Sequence, residues 1–427
     1  MADPARMCGP APPRQAEMSA EVDGSYAWRR LAVSLAVSTI GGVGLWSAVV
    51  VLPVVQAEFG VDRAGASLPY TATLIGFALG GIVMGRLTDR FGIRVPLMLG
   101  AVSLGAGYLL AAAASAYWQF ILAQALLIGM LGSSASFGPL VADVSHWFLR
   151  RRGIAVAIVA SGNYVAGTIW PPLLQQGFAL IGWRWTHAVI GLLCVATMLP
   201  LAMQLRRRAW QGERGSAEPS GAHLLPTPVR RDTLQMLLVF AGLACCIAMS
   251  MPQVHLVAYC ADLGYGPARG AEMLSLMLGL GVVSRLASGL VADRIGGVGT
   301  LLIGSTLQCV ALAFYLPFDG LTSLYLVSSL FGLSQGGIVP SYALIVRDYF
   351  PAAEAGTRIS LVLTATVLGM AVGGWLSGAI YDLTGSYRMA FLNGIAWNLL
   401  NLAVAVWLLL TRFAAGRGEG TVTGTVR

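Results

Sequence analysis

The chain has no lysine: all 27 of its basic residues are arginine. Charged residues make up only 11% of its 427 positions, against roughly 25% in a soluble globular domain. So few charges cannot cover a water-facing surface, so lipid must face much of the chain. Any anion held inside must be bound by arginine, histidine, hydroxyls, amides or backbone. Histidine is scarce too. His146, His187, His223 and His255 are the whole set, and they are scattered. That scatter argues against a membrane enzyme, which needs clustered His, Asp or Cys, and no metal site is expected. No G-x-x-x-x-G-K-S/T stretch occurs, which counts against ATP-driven pumping by this chain. The six cysteines (Cys8, Cys194, Cys245, Cys246, Cys260 and Cys309) show no metal spacing. Five lie in or at apolar runs and read as free packing residues.

Apolar sequence is abundant: 56% of residues are hydrophobic. The net charge of +8 lies in short loops between apolar runs. No basic face interleaved with aromatics exists, so nucleic acid is not an expected partner. Twelve runs approach the ~20 residues that cross a bilayer. They lie at about 31–54, 67–86, 95–115, 118–146, 153–176, 185–204, 232–260, 270–291, 298–317, 321–346, 359–381 and 387–411. The expected domains are a tail at 1–27, a six-helix bundle at 28–204, a linker at 205–231, a second bundle at 232–411 and a tail at 412–427. The first tail lacks the continuous apolar core of a cleaved signal peptide. The linker carries Arg206-Arg207-Arg208, Arg230-Arg231 and three prolines. With both termini inside, 22 arginines fall in tails and cytoplasmic loops, four (Arg63, Arg184, Arg269, Arg388) fall outside, and Arg285 is left within a span. That asymmetry sets the orientation.

One loop is said twice. Gly85-Arg86-Leu87-Thr88-Asp89-Arg90-Phe91-Gly92-Ile93-Arg94 reads G-x-L-x-D-R-x-G-x-R. Gly289-Leu290-Val291-Ala292-Asp293-Arg294-Ile295-Gly296 repeats it, with Asp293 204 residues after Asp89. Phe148-Leu-Arg-Arg-Arg-Gly153 pairs with Phe350-Pro-Ala-Ala-Glu-Ala-Gly356-Thr-Arg358, and Gly182-Trp-Arg184 with Gly385-Ser-Tyr-Arg388. Three pairs at a nearly constant offset point to two copies of one bundle. Gly85, Asp89, Arg90, Gly92, Arg94, Asp293 and Arg294 are the expected gating set. Their carboxylates and arginines can bridge cytoplasmic helix ends, and their glycines can let helices approach.

The ten-residue loop resembles the signature between the second and third helices of the major facilitator superfamily, and the resemblance covers about residues 23–411. It implies an all-α membrane protein of twelve transmembrane helices in two pseudo-symmetric six-helix bundles, working by alternating access around a central site. Asp23-Gly24-Ser25-Tyr26-Ala27-Trp28 resembles the D-G-G-W-G-W signature of monocarboxylate transporters, departing at Ser25 and Tyr26. Residues from Trp147 to Gly162 resemble that family's fifth-helix stretch, with Val156 for a usual glycine. Both are similar to the bacterial monocarboxylate and oxalate/formate carriers. The fifth span lacks the G-P-x-x-G-G ending of drug antiporters. Drug or other solute efflux and a non-transporting sensor on a carrier fold are the alternative readings.

Arg285 leads the site candidates. It lies eight residues before Asp293, about 12 Å inward from the loop. A charge there normally faces the bundle interior, and its planar fork suits a carboxylate. The opposing reading has it snorkelling or pairing with Asp143. The resemblance implies the substrate role, since related carriers have an arginine at this place. Proton-coupled animal members also have an aspartate one turn earlier, where this chain has Gly281, and a first-helix lysine, where it has Trp46. A tryptophan there can stack on an organic substrate. Asn163, Tyr164, Trp170 and Gln335 are further candidates for the cavity lining, each weighed against simple packing. Asp143 and His255 are the titratable candidates for proton coupling; for Asp143 pairing with the adjacent arginine run is favoured, and for His255 a helix–helix hydrogen bond weighs equally. Trp170-Pro171-Pro172 should bend or break its helix. The expectation is a secondary carrier of small organic anions, most simply monocarboxylates, with protons as a candidate second partner. It needs no cofactor, lies in the inner membrane with both termini cytoplasmic, and works as a monomer.

Overall fold

A computed structural model describes residues 23–148, 150–206 and 229–419. Most of the two expected tails and of the 205–231 linker lies outside these residues. Among the described residues all regular structure is helical. Ten helical stretches are long and apolar enough to cross a membrane. Two are far too long for one crossing: the 48 residues of Pro267–Phe314 would span about 72 Å against a hydrocarbon core of about 30 Å. That helix breaks at Gly296 (φ 78°, ψ 174°). Gly162–Gln204 breaks likewise at Gly182 (φ 80°, ψ 158°). Cut at these glycines, the ten stretches become the twelve spans expected.

The first span comprises Ser25–Gly41, Val43–Val50 and Leu52–Phe59. The second is Arg63–Phe91 and the third Arg94–Ala113. The fourth runs from Tyr117–Leu122, through a π-helical stretch at Ala123–Gly132 and a 3-10 turn at Ser133–Ser136, to Gly138–Trp147. The fifth combines Arg152–Ala160 with the residues from Gly162 to the break at Gly182, beyond which lies the sixth. The seventh is Arg231–Asp262, and the eighth and ninth lie either side of Gly296. The tenth joins Leu321–Gln335 to Ile338–Tyr349, and Ala352–Thr384 and Tyr387–Glu419 complete the set.

The repeat extends to backbone torsions. Gly92 has φ 82° and ψ 167°, and Gly296, 204 residues later, has φ 78° and ψ 174°. Only glycine is at home in this region of the map, because a Cβ would meet its own backbone. The loop motif therefore keeps its last glycine to turn the chain between two spans. Gly85 and Gly289 do something else. A Cβ added at either meets nothing within 4 Å, so they are not sites of close helix approach, contrary to expectation. Close approach occurs at Gly332, where a Cβ would lie 2.2 Å from the Met277 carbonyl oxygen.

Two boundaries differ from those read in the sequence. The first helix starts at Ser25 and so includes Arg30, which is buried. The last helix continues past residue 411 to Glu419. Nor does the chain break at Pro171-Pro172, which lie inside a continuous helix. The fifth span is interrupted at Ser161 instead. A helical proline deprives the carbonyl four residues earlier of its donor, and in lipid that carbonyl needs another. For Pro172 it is Thr168, whose carbonyl accepts from the Ser275 hydroxyl of the eighth span. For Pro69 it is Gly65, whose carbonyl accepts from the Tyr117 hydroxyl. Outward-facing Leu79, Ile82, Leu180, Leu290 and Leu383 are exposed, as lipid contact requires. The five cysteines among the described residues are free.

We expect Gly92→Ala and Gly296→Ala each to cost about 1–3 kcal/mol of stability through backbone strain. Gly85→Ala should be neutral or slightly stabilising. Melting temperatures of the detergent-purified proteins check this. Equal effects at Gly85 and Gly92 would refute the torsional reading.

Candidate functional site

The eighth span presents Arg285 to the junction of the two halves. Its Nη1 donates to the carbonyl oxygen of Ala160 at 3.1 Å. Its Nε points to the carbonyl oxygen of Gly336 at 3.4 Å. Ala160 ends a helical segment of the fifth span, and Gly336 caps Leu321–Gln335 of the tenth. The guanidinium thus lies between two helix C-termini, whose unpaired carbonyls and dipoles favour a cation. It also stacks over the Tyr164 ring, 4.5 Å from the centroid. Among the described residues no carboxylate pairs with it, so the expected alternative of an Arg285–Asp143 pair is not what forms.

Gly281 explains how Tyr164 fits. A Cβ there would lie 2.8 Å from two atoms of the Tyr164 ring and 3.4 Å from Nε2 of Gln335. Where the proton-coupled pattern has an aspartate, this chain therefore has room for an aromatic ring. Gln335 is fully buried, and its Oε1 accepts from Nε2 of Gln253 in the seventh span. The structure thus brings Arg285, Tyr164 and Gln335 together and adds Gln253, which sequence reasoning missed. Trp46 is adjacent. Its ring would meet a Cβ at Gly167 at 2.7 Å, and its Nε1 donates to the Asn163 carbonyl at 3.0 Å. Asn163 lines a small pocket with Ser38, Gly42, Phe77, Ser133 and Ser136.

Trp170 is not in this group. It is buried, and its Nε1 donates to the Thr39 carbonyl at 2.9 Å, tying the fifth span to the first. His255 is also elsewhere. It is fully buried, with Nε2 2.7 Å from the Gly374 carbonyl oxygen and Nδ1 3.1 Å from the Tyr387 hydroxyl. Both ring nitrogens are used in packing the seventh span against the eleventh and twelfth, so this is a helix–helix contact. Its position in an apolar run does not reveal which way the ring points.

The two faces of the protein differ. On the face carrying the repeated loops, Asp89, Arg90, Asp293 and Arg294 are exposed. Among the described residues none of the four side chains makes a hydrogen bond or ion pair, so the expected gating cluster is not engaged here. Arg94 is half-buried, with Nε unpartnered. On the opposite face the halves are bolted together. Arg63 donates from Nη2 to both carboxylate oxygens of Asp262 at 3.0 Å. The backbone N–H groups of Arg63 and Ala64 donate to Asp382 at 2.9 and 2.7 Å. Asp382 thereby caps the N-terminus of the second span from the other half. The Arg63 guanidinium also lies 4.8 Å from the Tyr381 ring centroid.

A family model described as the Major Facilitator Superfamily matches residues 34–331 and 281–424. The chain belongs to the major facilitator superfamily. It is a multi-pass membrane transporter, not an enzyme. An MFS-type transporter, pynF, of Aspergillus niger is 26% identical over 343 residues, 80% of this chain and 77% of that protein. Monocarboxylate transporter 13 of Bos taurus is 29% identical over 337 residues, 77% of this chain and 76% of that protein. A bacterial homologue of the human lysosomal transporter Spinster, solved inward-facing and occupied, superposes with a TM-score of 0.65 at 15% identity, covering 92% of this chain and 97% of that one. A variant of the nucleoside transporter NupG gives 0.69 at 13% identity, covering 88% and 99%. At these identities the two structures speak to fold alone.

Within this transporter the two stretches that resemble the monocarboxylate signatures meet each other. Asp23 N donates to the Trp147 carbonyl at 3.1 Å, and Arg150 N donates to Asp23 Oδ2 at 3.0 Å. Tyr26 packs edge-on against Trp147, as Trp28 does against Phe148. Beneath them Arg30 grips Asp143 bidentately, with both N–O distances 2.8 Å. Asp143 is therefore paired, as favoured, but its partner is Arg30 of the first span rather than the neighbouring arginine run. Placing the first span after Arg30 had hidden that partner.

Asp143→Ala alone should cost about 3–5 kcal/mol, because it strands a buried guanidinium. Arg30→Met with Asp143→Leu should recover most of it. Detergent melting curves test the stability claim. Substrate uptake by the double variant tests coupling: retention of gradient-driven uptake shows that Asp143 is not a proton carrier.

Proposed function

We propose that this transporter carries small organic anions, most simply monocarboxylates, across the inner membrane by alternating access. The reading rests on Arg285. A guanidinium within the spans is costly unless it serves a partner. Among the described residues its partners are two carbonyls and a ring, and no formal negative charge meets it. A carboxylate substrate supplies that charge in a geometry matched to the fork. The signature stretches at residues 23–28 and 147–162 support the same class, as does the likeness to the bovine monocarboxylate transporter. The arginine distribution supports cytoplasmic termini and a cytoplasmic position for the repeated loops. On that orientation the Arg63 cluster closes the outside, and this is an inward-facing state. Gly281 removes the carboxylate through which proton-coupled animal members act, so a proton that moves with substrate does not use that pair.

The test is uptake of labelled lactate, pyruvate, formate and oxalate into proteoliposomes, with and without an inward proton gradient. At least one should be transported. Arg285→Gln should lower its uptake about 10- to 100-fold, the worth of a lost charge-assisted contact of about 1.5–3 kcal/mol. Undiminished uptake by Arg285→Gln overturns the assignment.

A further inference from the structure

We propose that Gln335 is the second arm of the carboxylate clamp and that Gln253 is the positioning residue that aims it. The inference rests on the reading of Arg285 given above. Among the described residues Nε2 of Gln335 has no hydrogen-bond partner, although the residue is 0% exposed. A buried amide donor left unpaired costs free energy, and in a native structure it calls for an explanation. The other end of the same amide is pinned, because Oε1 accepts from Gln253. An amide held at its oxygen cannot turn its nitrogen away. It presents N–H toward the Gly281 side of the eighth span, 3.4 Å from where a Cβ would stand.

Gly281 and Arg285 are one turn apart, so they share a face of that helix. The Tyr164 ring lies against both, touching the Gly281 position and stacking on the guanidinium. The next residue after Gln335 is Gly336, whose carbonyl receives Arg285 Nε. The unpaired amide N–H and the guanidinium fork therefore flank one ring. Tyr164 lies against both donors, and among the described residues neither donor meets an anionic acceptor. A substrate carboxylate that displaces the ring would take one oxygen to Arg285 and the other to Gln335. No charged side chain is needed at the second arm. A neutral amide adds direction without adding to the net charge of the site.

The experiment measures KM and maximal rate in proteoliposomes for a carboxylate that the parent transports. The variants are Gln335→Met, Gln253→Met, the double variant and Arg285→Gln. Monodispersity and melting temperature are recorded for each. Gln335→Met should raise KM roughly tenfold or more with little change in maximal rate. Gln253→Met should raise it less, through a loosened amide. The double variant should match Gln335→Met, because Gln253 acts only through Gln335. If Arg285→Gln abolishes uptake while Gln335→Met leaves KM unchanged, the clamp is overturned and the Arg285 reading stands. The clamp also falls if KM effects of the two glutamines add independently. If no carboxylate is transported, or Arg285→Gln transports as well as the parent, the Arg285 reading fails and the clamp with it.

Discussion

In a bilayer no water reaches a backbone group whose hydrogen bond has been taken away, and this constraint arranges most of what is distinctive here. Helices that cross lipid can be interrupted only where something else satisfies the freed carbonyls. The fifth span stops at Ser161 and the tenth at Gly336, and the freed carbonyls of Ala160 and Gly336 both turn to Arg285. Pro172 frees the carbonyl of Thr168, which Ser275 takes up from the other half. Breaks in the helices, the arginine at mid-span and contacts between the halves are therefore a single arrangement. Changing one leaves another with an unmet polar group.

The electrostatics follow from it. Each helix C-terminus carries up to roughly half a negative charge, and two of them face Arg285. They supply partial negative charge to the guanidinium. They do so as dipoles, without a carboxylate that a substrate would first have to displace. A carrier must bind its substrate and then let it go. Dipolar support is joined by the Tyr164 ring, and Gly281 is what gives that ring its place.

Some of this was legible in the sequence. The repeated loop declared two halves, and Gly92 and Gly296 recur because one torsional requirement recurs. Arg285 stood out because a charge inside an apolar run must have a reason. What was hidden was rotational. Hydropathy locates a helix along the chain, but these spans are apolar on both their lipid-facing and buried sides, so it does not say which way His255 or Trp170 points. Arg30 was hidden differently. It sits where an arginine at a membrane surface is usual, and only its partner Asp143, 113 residues later, shows that it is buried. Gln253 had no signal beyond being polar in an apolar run.

The two faces extend the argument from the site to the cycle. Arg63 joins the second span to Asp262 and the aromatic end of the eleventh, and Asp382 caps the helix that carries Arg63. Nothing equivalent joins the described residues of the repeated loops, whose Asp89 and Asp293 stand free. Six-helix halves that rock against each other about a central site cannot keep both faces bridged at once, because closing one opens the other. The engaged cluster at one face and the idle charges at the other lie at opposite ends of the same spans, with Arg285 between them. The loops repeat in both halves because the halves have the same shape. The Arg63 cluster does not repeat, since position 267 in the second half is a proline. The two halves are thus alike in fold and unlike in the polar contacts that join them.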